Sequence, residues 1–194
     1  MRKPKLSPGV QAIDLFSPIQ ICLDEFVGNK LKLPQLIEKD RTAVASFMDA
    51  CQTIGLTTVK SLSQALGLKL EDFHRPGEPS DSGLDFVYEP AVERVADVKE
   101  NLHTDYGTLT LGFVQDFWGC HVKLRDSEEW GFAEPKPGCV LVNVCDALDR
   151  LSNGVLHSAT HRVTQPCDGV VKRHFLFYFL RPERSLLDSW EATE

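Results

Sequence analysis

The sequence predicts an α+β protein: a long helical segment over residues 34–73, then a body of short β-strands folded as a β-sandwich or jelly roll. Three observations carry this. Apolar residues between Leu36 and Leu66 recur at spacings of three and four, the period of one helix face. The stretch "HRPGEPSDSG", residues 74–83, holds two prolines and two glycines and reads as a turn-rich linker. From residue 84 onward, short runs rich in branched and aromatic residues alternate with turn signals such as "EPKPG", "SNG" and "CDG".

Taken in order, residues 1–33 are loosely patterned, with an extended arm or short strand expected near "AIDLF". Pro34 suits a first helical turn, and Leu36, Ile37, Val44, Phe47, Met48, Cys51, Ile54, Val59, Leu62 and Leu66 form the apolar face behind it. Gly67 is placed to stop the helix, and "KLEDF" fits one further turn. The β-prone runs are "LDFVYEP", "TLTLGFV", "CHVKLRD", "CVLVNVC", "ATHRVTQ" and "RHFLFYFL". At 194 residues this is one structural domain. It divides into an N-terminal arm and helical segment (1–83), a β core (84–182) and a C-terminal tail (183–194).

A net charge of −7 argues against nucleic acid or anionic membrane as a partner, because both select basic patches. No apolar run is long enough for a membrane span, and no apolar stretch follows the charged start "MRKPKLSPGV" to make a secretory signal. Six cysteines without a CxxC pair fit reduced thiols in a cytoplasmic setting. Nothing in the sequence speaks to oligomeric state.

The chemistry concentrates in "ENLHTDYGTLTLGF", residues 100–113. The period-two geometry of a strand puts His103 and Asp105 on one face, with Thr104 pointing away. Such a pair reads as a hydrogen-bonded surface contact, an acid/base dyad, or two members of a metal site. A third ligand would complete a 2-His-1-carboxylate triad, the set that holds Fe(II) on one face and leaves other positions open. Two histidines in "SNGVLHSATHRVTQ" compete for that place, His157 beside the turn and His161 in the β-prone "THRV". They are four apart and would share a strand face, so spacing does not choose; depth in the expected core tilts to His161.

Together, "HTDYGTLTL", "VLVNVCDALDRLSNGVLHSATHRV" and "RHFLFYFLRP" resemble the iron- and 2-oxoglutarate-dependent dioxygenases of the isopenicillin N synthase-like group, over roughly residues 84–182. The resemblance implies a double-stranded β-helix (jelly roll) core preceded by a long helix packed on the sheet. It implies His103, Asp105 and His161 as the catalytic metal ligands, with Fe(II) as cofactor and 2-oxoglutarate as cosubstrate. Arg173 would hold the distal carboxylate of 2-oxoglutarate, since a guanidinium pairs with a carboxylate bidentately. Tyr88 falls where the family often has a tyrosine bonded to the same cosubstrate. The implied reaction oxidises a small organic molecule with dioxygen by hydroxylation, desaturation or ring rearrangement, releasing succinate and CO2.

The chain departs from the family pattern at named positions. The usual arginine motif is Arg-x-Ser, whereas here the stretch reads Arg173-His174-Phe175. A phenyl ring removes a donor to the cosubstrate; one hydrogen bond to a charged group is worth about 1.5–3 kcal/mol. Phe86 stands where asparagine is common, and Trp118 where glycine is common. Family members also carry a longer segment ahead of the His-x-Asp. These departures support a second reading, a relative that keeps the fold and metal site but binds 2-oxoglutarate poorly.

Overall fold

The structure, a computed structural model, describes residues 19–89, 102–113, 120–163 and 173–191. The arm near "AIDLF" and Trp118 lie outside them. The chain enters through β1 (Ile19–Cys22) and a short α1 (Leu23–Val27). The helical segment is α2 (Gln35–Lys39), α3 (Arg41–Leu66) and a 3-10 turn at Leu70–Phe73. Pro34 caps α2 rather than opening its first turn. Gly67 ends α3 with φ of 66°, the left-handed conformation that glycine adopts without a Cβ penalty.

The β body comprises β2 (Gly83–Glu89), β3 (Leu109–Phe113), β4 (Cys120–Lys123), β5 (Trp130–Phe132), β6 (Leu141–Val144), β7 (His161–Val163) and β8 (Arg173–Leu180). Two helices, α4 (Asp146–Leu151) and α5 (Arg184–Glu191), lie among and after them. Five strands form one sheet in the order β1-β2-β8-β3-β6, and three form a second, β5-β4-β7. Every named pairing is antiparallel. All six β-prone runs form strands. β1, α1, β5, α4 and α5 go beyond the expected elements: β5 is three residues long, and α4 follows β6 after a single residue.

The larger sheet has two unlike faces, and alternation along each strand sorts them. Leu84, Leu109, Leu111, Tyr178 and Leu180 are buried on one face against the apolar stripe of α3. There Phe47 meets Phe113 at 4.9 Å between ring centroids, and the Tyr178 hydroxyl donates to Gln52 Oε1 at 2.5 Å. The opposite face carries Thr110, Asn143, Phe175, Phe177 and Phe179, in register across β6, β3 and β8. A strand buried on both sides, as β3 is at Leu109–Gly112, must place its polar side chains where partners exist.

A polar cluster ties the linker to the end of the sheet. Arg75 donates through Nε to Glu183 Oε1 (2.8 Å) and through its backbone N–H to the same oxygen (2.9 Å). This holds Glu183 down to about 2. His74 contacts Thr108 Oγ1 through Nε2 at 3.1 Å. Burial pushes His74 down to about 4, against Glu183 and the Arg181 backbone, which pull it up. A histidine depressed in the folded state is protonated first in the unfolded chain. Its contribution is therefore present above about pH 6.5 and lost as pH falls towards 4. Denaturant unfolding across that window is expected to show a fall of up to about 3 kcal/mol that is smaller in His74→Gln. An equal fall in both proteins would contradict this.

Candidate metal centre

His103, Asp105 and His161 come together from two segments. His103 and Asp105 precede β3, and His161 opens β7. The backbones of His103 and His161 exchange two hydrogen bonds, 3.1 and 2.9 Å, an isolated bridge between the two segments. Their rings lie 4.4 Å apart. After Asp105 the chain turns at Gly107, φ 130°, where a Cβ would meet the Leu180 carbonyl oxygen at 3.0 Å and Arg181 Cγ at 3.1 Å. The backbone carbonyl of Asp105 accepts from Asp146 and that of Gly107 from Ala147, so the start of α4 fixes this turn.

The Nε2 atoms of His103 and His161 stand 3.6 and 3.5 Å from Asp105 Oδ1. One ligand atom from each of the three residues lies within 4.8 Å of the others, close enough for one small cation to touch all three. The other carboxylate oxygen, Oδ2, accepts from Thr110 Oγ1 (2.7 Å) and Asn143 Nδ2 (2.8 Å). His161 Nδ1 lies 3.1 Å from the Ala159 carbonyl oxygen, which directs Nε2 inward as a metal-ligating histidine requires. Burial alone would raise the carboxyl of Asp105, but His103, His161 and Thr110 together outweigh it and hold it well below the usual range. A carboxylate that stays charged while largely buried is matched to a cation. Two imidazoles and one carboxylate, with outer partners in place, fit Fe(II).

His157 is not part of this cluster. It sits 3.6 Å from Asp149 Oδ2, on the stretch between α4 and β7. Arg173 opens β8 paired with Glu89, in the same alternating set of positions as Phe175, Phe177 and Phe179. Phe175 and Phe177 stack at 6.0 Å with an interplanar angle of 14°. Tyr88 pairs with His174, its ring 5.2 Å away, so these two share the helix-side face with Phe86. The structure thus does not bring Tyr88 to the face that carries Thr110 and Asn143.

The 2OG-Fe(II) oxygenase superfamily matches residues 80–182, more than half of the chain. The chain belongs to the 2OG-Fe(II) oxygenase superfamily. It is 34% identical over 179 residues to the 2-oxoglutarate-dependent dioxygenase frbH of Dothideomycetidae sp., covering 89% of this chain and 55% of that protein. It is also 34% identical over 160 residues to the 2-oxoglutarate-dependent dioxygenase iboH of Amanita muscaria, covering 78% and 77% respectively. The crystal structure of a full-length Neurospora crassa protein in complex with α-ketoglutarate superposes with a TM-score of 0.73 at 26% identity, over 88% of this chain and 56% of that one. The chain spans about half the length of the first of these relatives. For a 2OG-Fe(II) oxygenase, cofactor and cosubstrate are Fe(II) and 2-oxoglutarate.

Thr110 and Asn143 are not among the residues expected from the sequence. Their signal was present: a polar residue within "VLVNVC" and one within "TLTL" are out of place in buried strands unless they serve a buried charge. Outer partners of metal ligands typically change affinity about 10- to 100-fold. Asn143→Leu and Thr110→Val are therefore each expected to weaken metal binding by about that factor in equilibrium dialysis. Unchanged affinity in both would show that Oδ2 needs no anchoring.

Proposed function

We propose that the chain binds Fe(II) through His103, Asp105 and His161 and, with 2-oxoglutarate and dioxygen, oxidises a C–H bond of a small organic molecule, releasing succinate and CO2. The observation that carries this is the convergence of those three side chains in a chain of this superfamily. The naming of its relatives as 2-oxoglutarate-dependent dioxygenases supports it. When bound, the metal supplies open coordination positions for a chelating 2-oxo acid and for dioxygen.

The chain's own residues do the rest. Thr110 and Asn143 occupy one oxygen of Asp105, so the other is presented to the ion. The Ala159 carbonyl sets the ring of His161. In this reading the two sheets are the halves of a double-stranded β-helix with the triad between them. His161 opens β7 of the smaller sheet, and Asp105 accepts a hydrogen bond from Thr110 of β3 in the larger one, which supports that placement. Arg173 is the counter-ion for the distal carboxylate of 2-oxoglutarate, and Phe175, Phe177 and Phe179 form an apolar wall that excludes water. In this account residues 84–182 carry the site, and α3 covers the other face of the larger sheet.

The test is conversion of 2-oxoglutarate to succinate by the purified chain, dependent on added Fe(II) and oxygen. Turnover stopped by chelation and restored by Fe(II) is the expected result. Turnover indifferent to chelation, or none at all with metal and 2-oxoglutarate both bound, would overturn the reading. The alternative, a relative that keeps the metal site but binds 2-oxoglutarate poorly, would instead give metal binding without 2-oxoglutarate binding. That alternative rests on Phe175 and on the shorter segment ahead of the His-x-Asp, and the relatives' names weigh against it.

A further inference from the structure

A cavity of about 870 Å³ opens beside the triad, lined by His103 and Thr104 together with Gln20, Asp85, Phe179 and Arg181. This is the size of a small-molecule site. Two charges on its lining are incompletely matched. Arg181 donates from Nη1 to the Asp81 carbonyl oxygen at 2.8 Å. Its Nε is buried and has no acceptor among the described residues. Its guanidinium carbon stands 5.5 Å from the centroid of the Phe179 ring, so the group is held against the cavity wall.

On the same lining, Asp85 Oδ2 accepts a hydrogen bond from Gln20 Nε2 at 3.0 Å. Burial raises the carboxyl of Asp85, and neither Gln20 nor Arg181 offsets that fully. Asp85 and Arg181 feel one another through space, yet each spends its hydrogen bond on a different neighbour. Elsewhere on the lining, Asp81 is ion-paired with Arg184 and Asp146 accepts from Thr104 Oγ1 at 3.0 Å. A guanidinium and a partly buried carboxylate on the lining of one cavity, with the Arg181 Nε shut away from it and unpaired among the described residues, favour a ligand that brings an opposite charge to each.

We propose that this cavity is the substrate chamber and takes a small molecule carrying both a carboxylate and an ammonium group, an amino acid, with Arg181 receiving the carboxylate and Asp85 the ammonium. The proposal rests on the metal-centre reading above, because His103 is what makes the chamber adjacent to the oxidising site. It also accounts for why strand β2 carries an aspartate among apolar neighbours.

The test uses the chain loaded with Zn(II), a redox-inert ion, and 2-oxoglutarate, observed by saturation-transfer NMR. The probes are the common α-amino acids, each compared with its deaminated acid and its decarboxylated amine. At least one amino acid is expected to bind, with both analogues at least about tenfold weaker, the range for a hydrogen bond to a charged group. Arg181→Met should abolish the preference for the amino acid over its amine, and Asp85→Asn the preference over its acid. Arg181 also supports the Asp81 backbone, so the Asp85 variant carries the test if Arg181→Met fails to fold. Absence of binding by any amino acid, equal binding of the analogues, or an Asp85→Asn variant with unaltered preference would overturn the proposal. Zn(II) and 2-oxoglutarate binding are read in the same samples. If they are present without amino-acid binding, this inference fails alone; if they are absent, the metal-centre reading fails with it.

Discussion

His161→Ala is expected to lower Fe(II) affinity by at least about 100-fold, more than the loss of an outer partner of the metal ligands, while His157→Ala leaves it unchanged. The two histidines are four residues apart and chemically identical, so the comparison isolates position. His161 is 12% exposed at its side chain and faces Asp105 Oδ1 at 3.5 Å. His157 is 42% exposed and faces Asp149, whose Oδ2 already accepts the Ser158 backbone N–H at 2.8 Å. Equilibrium dialysis with Fe(II) under anaerobic conditions, with circular dichroism to confirm folding, reads the difference. Equal losses in both variants, or in neither, would mean that the cation is held elsewhere.

Phe175→Ser is expected to tighten 2-oxoglutarate binding by roughly ten- to a hundred-fold, the worth of one restored hydrogen bond to a charged group. Position 175 shares the alternating set of Arg173 on β8, and its ring stacks on Phe177 rather than on the α3 side of the sheet. A hydroxyl at this position would stand two residues along the strand from Arg173, on the same face. Calorimetry of 2-oxoglutarate into the metal-loaded protein measures it. Removing a large ring also leaves a void, so the variant is expected to lose stability even as it gains affinity. If affinity is unchanged or falls, the distal carboxylate is not held beside position 175.

Much of the fold was legible because periodicity reports burial. Of the predicted apolar face, Met48, Cys51 and Val59 are buried on α3, with the small Gly55 and Ser63 completing the stripe, whereas Leu36 and Ile54 stand exposed at its margin; the branched and aromatic runs marked six strands. What escaped is short or context-made. β1 and β5 are four and three residues, too brief for alternation to show, and exist because neighbours supply their ladders. The triad was readable as residue types, yet the choice between His157 and His161 needed either resemblance or the observed bridge from His103 to His161. Tyr88 shows the opposite limit. A motif match places a residue to within one position, but in a strand one position is the difference between two faces. The register Tyr88↔His174 and Glu89↔Arg173 is a fact of pairing that no single run of sequence contains.

The most direct test is an anaerobic calorimetric titration of Fe(II) into the purified chain, followed by 2-oxoglutarate, repeated with Asp105→Ala. The account predicts one Fe(II) per chain in the native protein, 2-oxoglutarate binding only once the metal is present, and neither event in the variant. Full Fe(II) binding in Asp105→Ala, or 2-oxoglutarate binding that ignores the metal, would contradict it.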